Sequence, residues 1–524
     1  MGRQDGWVST ALGVDVGTTH TKVALVDVDV ARTLAVASAP TPAPGDLLRV
    51  VAELTRRVLG AAPDAPAPAA VGVASMAETG VPVGPDDEPR GDWLRWDGHR
   101  AGRQADELAA RLGRTALFAA TGVRSSAKVP LATWAWLRDE ADARMGAAGG
   151  PGAGPLHGDG RWAGAADLVV LGLTGHLVTD HTLAGRTMAY RLGAPGDLPT
   201  AFDTELLAEV GLAPRHLPRV LRPGETVPLR TGPLTDAGLL AGTPVTVAGH
   251  DHAVGAFAAG VRSPGEVADS VGTSEVVCTV LADDPDPGPV AAAGMSLVRT
   301  VRGDRPALVA GSSSAGGAVA AWLAQVAPDD ERARLLERAS TLDDALVAVL
   351  SEAPAAAPAD GEAASFVVLP YVHGRQTPAP DAAETLRAVG RVPDDPVAAV
   401  RGVLLGAVLH ARWMLDAQAA LAGAPPTRVL ALGRPVTANP AWAALKRWCT
   451  PVPVDVVADE EAVAAGAALL AAERAGLVAP APALGAAPAA GAGTRLDPRL
   501  VARRLAAFVT AATAPSGATP AEAR

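Results

Sequence analysis

One short string occurs twice in this chain, and it limits the possible folds more than any other feature. Asp15-Val16-Gly17-Thr18-Thr19 returns as Ser270-Val271-Gly272-Thr273-Ser274, roughly half the chain later. Each copy leads into an apolar run, Val23 to Val26 and Val276 to Leu281. A small residue followed by Thr, set between two strands, makes a turn that exposes backbone N–H groups and hydroxyls, donors suited to phosphate oxygens. A repeat placed this way reads as an imperfect duplication and predicts two related halves. The length agrees: 524 residues exceed one ordinary core and fit two domains.

Composition removes several classes. Hydrophobic residues are 49% and charged residues 19%, enough to bury a core and unlike a disordered chain. A formal net charge of −11 argues against nucleic acid as the main partner. The basic side is almost wholly arginine, with lysine only at Lys22, Lys128 and Lys446. Two cysteines, Cys278 and Cys449, are too few for a disulfide scaffold or a Cys-based zinc site and read as reduced thiols. The longest apolar candidate considered, Ala462 to Ala472, is closed off by Glu461 and Glu473 and is too short to span a bilayer. The first residues carry no apolar leader, so a cytoplasmic protein without membrane partners is expected.

The first 85 residues or so follow an α/β pattern: strands over Ala11–Asp15, Thr21–Asp27 and Thr33–Ser38, a helix over Leu47–Leu59, and a strand over Ala70–Ser75. The stretches Gly146–Gly160, Ala353–Ala364 and Ala479–Gly493 read as insertions or linkers. An amphipathic helix is expected over Asp497–Ala512, with a frayed end beyond it.

Five places can carry chemistry. The two Gly-Thr turns come first. Asp15 lies two residues before Gly17, and a carboxylate beside a phosphate turn suits hydrated Mg²⁺. Either turn alone reads more simply as a plain hairpin; both together predict a nucleotide clamped between two domains. Next, Thr246-Val-Ala-Gly-His250-Asp251-His252 runs a strand into a helix, with Asp251 near the helix N-terminus, where the positive end of the dipole favours a carboxylate. Such an Asp can accept a hydroxyl proton, or it can be a simple N-cap; His250 and His252 keep a metal site open. Third, Gly311 to Ala320 reads as a Gly/Ser loop opening a helix, or a surface loop. Fourth, a strand at Arg428 to Leu432 meets Gly433, then Asn439 as N-cap with Pro440 at the first helical position, and a closing helix contains Gly466 and Ala467. Finally Glu78, Trp96 and Arg100 offer a carboxylate, an aromatic plate and a guanidinium, a set suited to a polyhydroxylated ligand or to a surface salt bridge.

In this order the segments resemble the FGGY family of carbohydrate kinases, over about residues 10 to 475. The resemblance implies an α/β fold of two actin-like (ribonuclease H-like) domains flanking a nucleotide and sugar cleft, with ATP and Mg²⁺ as cofactors. Leu12-Gly-Val-Asp15-Val-Gly17-Thr18-Thr19 with Lys22 resembles the first phosphate motif, its aspartate associated with the metal. Gly249-His250-Asp251 matches the catalytic base. Gly272, Thr273 and Ser274 match the second phosphate motif, and Ser314-Ala-Gly316-Gly317 the helix start beside the nucleotide. Leu173-Thr-Gly175 through Thr179-Asp180, with Arg186-Thr187, and Glu460-Glu461 through Ala468 also resemble family segments. The adenosine loop departs from the family, with one glycine, Gly433, before Asn439.

The expectation is an ATP-dependent kinase of a sugar, ketose or polyol, with Asp251 as base and Glu78, Trp96, Arg100 and His252 binding the small-molecule acceptor. Residues 1–256 form the sugar and phosphate domain, 257–478 the nucleotide domain, and 479–524 an Ala/Pro-rich tail; a homodimer is left open. Two other classes stay in view, a catalytically weak sugar-sensing protein on the same fold and a His-Asp-His metal-dependent hydrolase.

Overall fold

A computed structural model describes residues 9–148, 156, 158–351, 366–491 and 497–514. The expected linker 353–364 lies outside the described residues, as do 149–155 and 157 within the first linker and the last ten residues, 515–524. The chain divides into two compact units. The first gathers Met1–Arg262, Ser296–Ala307 and Glu461–Gly485; the second gathers Ser263–Met295, Leu308–Glu460 and Ala486–Arg524.

The first unit is built on a six-stranded sheet in the order Arg32–Pro40, His20–Asp27, Thr10–Val16, Val71–Ser75, Pro244–His250, Val227–Pro228. The first three strands are antiparallel neighbours. Thr10–Val16, Val71–Ser75 and Pro244–His250 run parallel, so their C-terminal ends emerge on one edge. There Ala74 pairs with Asp15 on one side and Gly249 on the other. Thr10–Val16 and Val71–Ser75 are buried along their whole length, as continuous apolar runs of a central sheet should be.

The helix Ala462–Arg474 lies directly on this sheet. Gly13 and Gly72 are register partners, and a Cβ on either would overlap a carbonyl oxygen of that helix, Ala464 or Ala467. Two adjacent glycines thus form a flat seat for a helix made mostly of alanine. Gly466 meets the Val254 carbonyl in the same way, so its small size serves close helix packing. This helix therefore belongs to the first unit, although its sequence falls inside the expected second domain, 257–478.

In the second unit the strands Glu275–Val280, Glu266–Val271, Arg428–Leu432, Val454–Val457 and Ala486–Pro488 lie side by side in that order. The first two form an antiparallel hairpin, and Arg428–Leu432 runs parallel to both of its neighbours. Two features bear on the expectations above. Pro396–Ala422 is, among the described residues, a helix long and apolar enough to cross a membrane, yet 83% of its most apolar window is buried within the protein. Gly402 and Gly406 let it seat on Phe366 and on the Val368 carbonyl, as a core helix does. Among the described residues after 478, several pack closely, and the expected terminal helix forms. Ala481 and Leu484 are buried, Ala486–Pro488 pairs with Val454–Val457, and Pro498–Thr513 buries Phe508 and Ala512.

Candidate functional site

At the strand edge of the first unit, Asp15 faces Lys22 as its register partner in the hairpin that carries Gly17, Thr18 and Thr19. Lys22 Nζ lies 2.5 Å from Glu461 Oε2, brought in by the residue just before the closing helix. Asp15 Oδ1 is buried and has no hydrogen-bond partner among the described residues. Burial, and then the carboxylates of Asp251 and Glu461, push Asp15 up to about 7 against the pull of Lys22. For Lys22, burial works against its charge, but Asp15 and Glu461 outweigh it and hold the ammonium above its usual range. Two carboxylates, one lysine and a carboxyl poised near neutrality therefore share one edge.

Asp251 reaches the same edge from the end of Pro244–His250, as the first residue of the helix Asp251–Ala258. What fixes that junction is buried below it. Gly249 has φ +132°, and a Cβ there would strike Thr182 Oγ1. The Thr182 hydroxyl accepts from the His250 N–H (2.8 Å) and donates to Asp180 Oδ1 (2.7 Å). Arg474 donates to Asp180 Oδ2 (3.0 Å) and to the Val247 carbonyl (2.6 Å). Burial opposes ionisation of Asp180, but the charges of His181 and Arg474 hold its carboxyl far below the usual range. The strand end is thus bracketed from both sides, with the register break between Val247 and Gly249 held between them.

His250 connects this group to Glu78. Burial pushes its imidazole down to about 4, with Asp251, His252, Arg186 and Glu78 all close enough to act on it. Glu78, at φ +61°, is ion-paired with Arg186 (2.6 Å) and Lys128 (3.4 Å). Burial works against its charge, but Lys128 and Arg186 keep it below the usual carboxylate range. Trp96 donates from its indole to Thr18 Oγ1 (3.1 Å), and its N–H donates to Thr79 Oγ1 (3.2 Å). Arg100 does not join Glu78; its guanidinium stacks over Trp136 at 5.7 Å.

In the second unit, Gly272, Thr273 and Ser274 form the expected hairpin turn. The carbonyls of Gly272 and Thr273 accept from Gly316 N (3.0 Å), Ala315 N (2.8 Å) and Gly317 N (3.0 Å), so the Gly/Ser loop opens its helix against the hairpin. A Cβ on Gly316 would lie 2.7 Å from the Gly272 carbonyl. Gly433, φ +104°, backs onto the Val271 carbonyl. Asn439 is buried, and its side chain caps Pro440–Cys449 by accepting from Trp442 N (2.9 Å); a short helix, Arg434–Ala438, fills what reads as loop. Behind the hairpin, Lys446 is ion-paired with Asp269 and with Glu275 (2.5 Å).

Sequence reasoning gives no role to Lys128, Asp180, Thr182, Arg186, Arg474, Asp269, Glu275 or Lys446. One signal points to three of the clusters. Lysine is nearly absent from the chain, yet Lys22, Lys128 and Lys446 each meet a buried carboxylate, Asp15, Glu78, and Asp269 with Glu275.

Family descriptions match both halves of the chain: the N-terminal domain of the FGGY family of carbohydrate kinases over residues 10–258, and its C-terminal domain over residues 267–475. A xylulose kinase from Streptomyces rubiginosus is 31% identical over 285 residues, 51% of this chain and 54% of that protein. The alignment thus spans about half the length of the curated relatives it matches. Among solved structures, a gluconate kinase from Lactobacillus acidophilus aligns with TM-score 0.77 at 20% identity, over 97% of this chain and 99% of that one. A ligand-bound xylulose kinase from the same organism aligns with TM-score 0.76 at 20% identity, again over 97% and 99%. At these identities the likeness shows the fold, a two-domain α/β architecture of the actin-like type.

Proposed function

The chain belongs to the FGGY family of carbohydrate kinases, and on that premise we propose that it transfers the γ-phosphoryl group of ATP to a hydroxyl of a sugar, ketose or polyol. The observation that carries this reading is the shared edge of the first unit, where Asp15 and Asp251 lie at the ends of parallel strands and Lys22 pairs with Asp15 from the antiparallel neighbour. The acceptor hydroxyl donates to the Asp251 carboxylate. Asp251 takes its proton as the new O–P bond forms and the bond from γ-phosphorus to the bridging oxygen breaks, releasing ADP. Positioning and charge complementarity supply most of such a reaction's acceleration.

The Gly17–Thr19 turn and Lys22 face the transferring phosphates, and in the second unit Gly272, Thr273, Ser274 and Gly433 hold the nucleotide. Asp15 fits a divalent cation of the Mg²⁺ type: its buried Oδ1 lacks a partner and its charge rises and falls near neutrality. When bound, such an ion neutralises charge on phosphate oxygens. Glu78, with Lys128, and Trp96 and His252 form the acceptor side. Asp180, Thr182 and Arg474 act indirectly, by fixing the Gly249–Asp251 junction.

The test is ADP release across a panel of ketoses, aldonates and polyols, including xylulose, gluconate and L-fuculose, with and without Mg²⁺. One or a few acceptors should stimulate release strongly and only with the metal. Asp251→Asn should keep the fold and nucleotide binding while turnover falls about 10²–10⁴-fold, the range for a positioned base. A folded variant turning over at the wild-type rate would remove Asp251 from the reaction.

A further inference from the structure

His250, Asp251 and His252 do more than frame a base. Their side chains bring three donor atoms within 4.8 Å of one another. His250 Nε2 lies 3.1 Å and His252 Nε2 3.7 Å from the same Asp251 Oδ1, and the two rings meet edge to face with centroids 5.1 Å apart. An ion held at about 2.0–2.1 Å by N and O ligands in a tetrahedron spaces those ligands roughly 3.4 Å apart. Two edges of the triangle are therefore already near the required length.

The donor set selects the ion. Mg²⁺ demands oxygen ligands and keeps its water, whereas imidazole nitrogen with one carboxylate suits Zn²⁺, Co²⁺, Ni²⁺ or Cu²⁺. We propose that His250, Asp251 and His252 form a transition-metal site, separate in chemistry from the Asp15 position, whose occupation engages the Asp251 carboxylate and switches phosphoryl transfer off. The binding half stands on geometry alone; the inhibitory half rests on the proposed kinase reading.

Two further observations support it. The His250 backbone is fixed by Thr182 (2.8 Å), so one ligand is held in place by a buried network. The His252 side chain is 29% exposed, which gives an ion a route in. Arg186 opposes a cation here, and Glu78, which pairs with it, offsets that charge.

The experiment titrates Zn²⁺ into the metal-stripped full chain against a chromophoric chelator, with Co²⁺ absorption as a second readout. One Zn²⁺ per chain should bind at micromolar concentration or tighter, and a thousand-fold excess of Mg²⁺ should not displace it. His252→Gln and His250→Gln should each weaken binding at least tenfold, with circular dichroism reporting which variants remain folded. Co²⁺ should show tetrahedral d–d bands in the wild type that each folded variant loses. Zn²⁺ binding equally to wild type and to a folded His variant, or to wild type only at millimolar concentration, overturns the site. In the kinase assay Zn²⁺ should inhibit and a chelator should restore activity. Tight binding without inhibition overturns the switch. If no acceptor supports turnover at all, the kinase reading fails while the titration still decides the site.

Discussion

Each unit places a lysine between two carboxylates behind its copy of the Val-Gly-Thr turn, and the two clusters differ in burial. In the first, the Lys22 and Glu461 side chains are 28% and 26% exposed, and Asp15 keeps an oxygen without a partner. In the second, Lys446, Asp269 and Glu275 are 3%, 8% and 1% exposed. Burial first, and then the neighbouring Asp269 carboxylate, push Glu275 above the usual carboxylate range in spite of Lys446, so this group approaches neutrality by holding a proton. Its cation ties the hairpin Glu266–Val280 to the helix Pro440–Cys449, which Asn439 caps just beyond Gly433. The same three ionisable side chains can thus act as a ligand-facing group when half exposed, or as an internal tie when enclosed.

The comparison breaks most directly at the two lysines. Lys446→Met leaves the buried Asp269 carboxylate, and Glu275 beside it, without the cation that both meet, and removing one partner of a buried pair costs about 3–5 kcal/mol. The variant should show a correspondingly lower urea midpoint with an unchanged slope. Lys446→Arg should not rescue it, because the cavity beside the ammonium holds only about 10 Å³. Lys22→Met should cost about 1 kcal/mol or less, the scale of exposed ion pairs, while depressing kcat/KM. Equal losses of stability at the two lysines would erase the distinction between the clusters.

Asp15 sharpens the comparison through pH. Its folded value, about 7, lies above the unfolded 3.8, so between those limits the native state holds a proton that the unfolded chain has lost. Stability contributed by this group is therefore present below about pH 4 and disappears as pH rises through about 7. Asp15→Asn removes the burdened charge. Without divalent cation it should stabilise the protein at pH 8 by on the order of 2–4 kcal/mol, and the advantage should vanish near pH 4. Turnover should be lost at the same time, the trade expected of a residue kept for ligand rather than for stability. Urea curves at both pH values measure it. A variant less stable than wild type at pH 8 would make Asp15 a structural residue like Asp269.

How much of this was legible in the sequence follows from range. The hairpins, the parallel strand after Leu47–Ala61 and the Asn439 cap are set by local alternation, turn residues and capping, so their residues announce them. The position of Asp251 at a strand-to-helix junction is readable because a strand, a glycine and a helix start are contiguous in sequence. The partners of Glu78 were not. Trp96 and Arg100 lie near it in sequence, but the fold supplies Lys128 and Arg186, and Arg100 turns to Trp136. The assignment of Ala462–Arg474 to the first unit was written in Gly13 and Gly72, two glycines whose need for space shows only when a helix lies on them. Asp180 and Arg474 are separated by most of the chain, and nothing local in either one signals the other.

The smallest effects should come from the turns themselves. Thr18→Val and Thr273→Val each remove one hydroxyl while keeping volume, and each should raise the apparent KM for ATP about 2–10-fold, the scale of one hydrogen bond. They should part in stability. The Thr18 hydroxyl accepts from the Trp96 indole at 3.1 Å, so valine leaves that N–H without its partner and should cost about 1 kcal/mol. Thr273 is exposed, and the hydrogen bonds that anchor it, from Ala315 and Gly317, run to its backbone carbonyl, which valine retains. Thr273→Val should therefore change nucleotide affinity with the urea midpoint unmoved. Measuring KM for ATP and for the acceptor beside the midpoint separates the cases. A change confined to the acceptor KM would take that turn out of phosphate binding. A shared stability loss would mean that the second hairpin, like the first, is braced through its threonine hydroxyl.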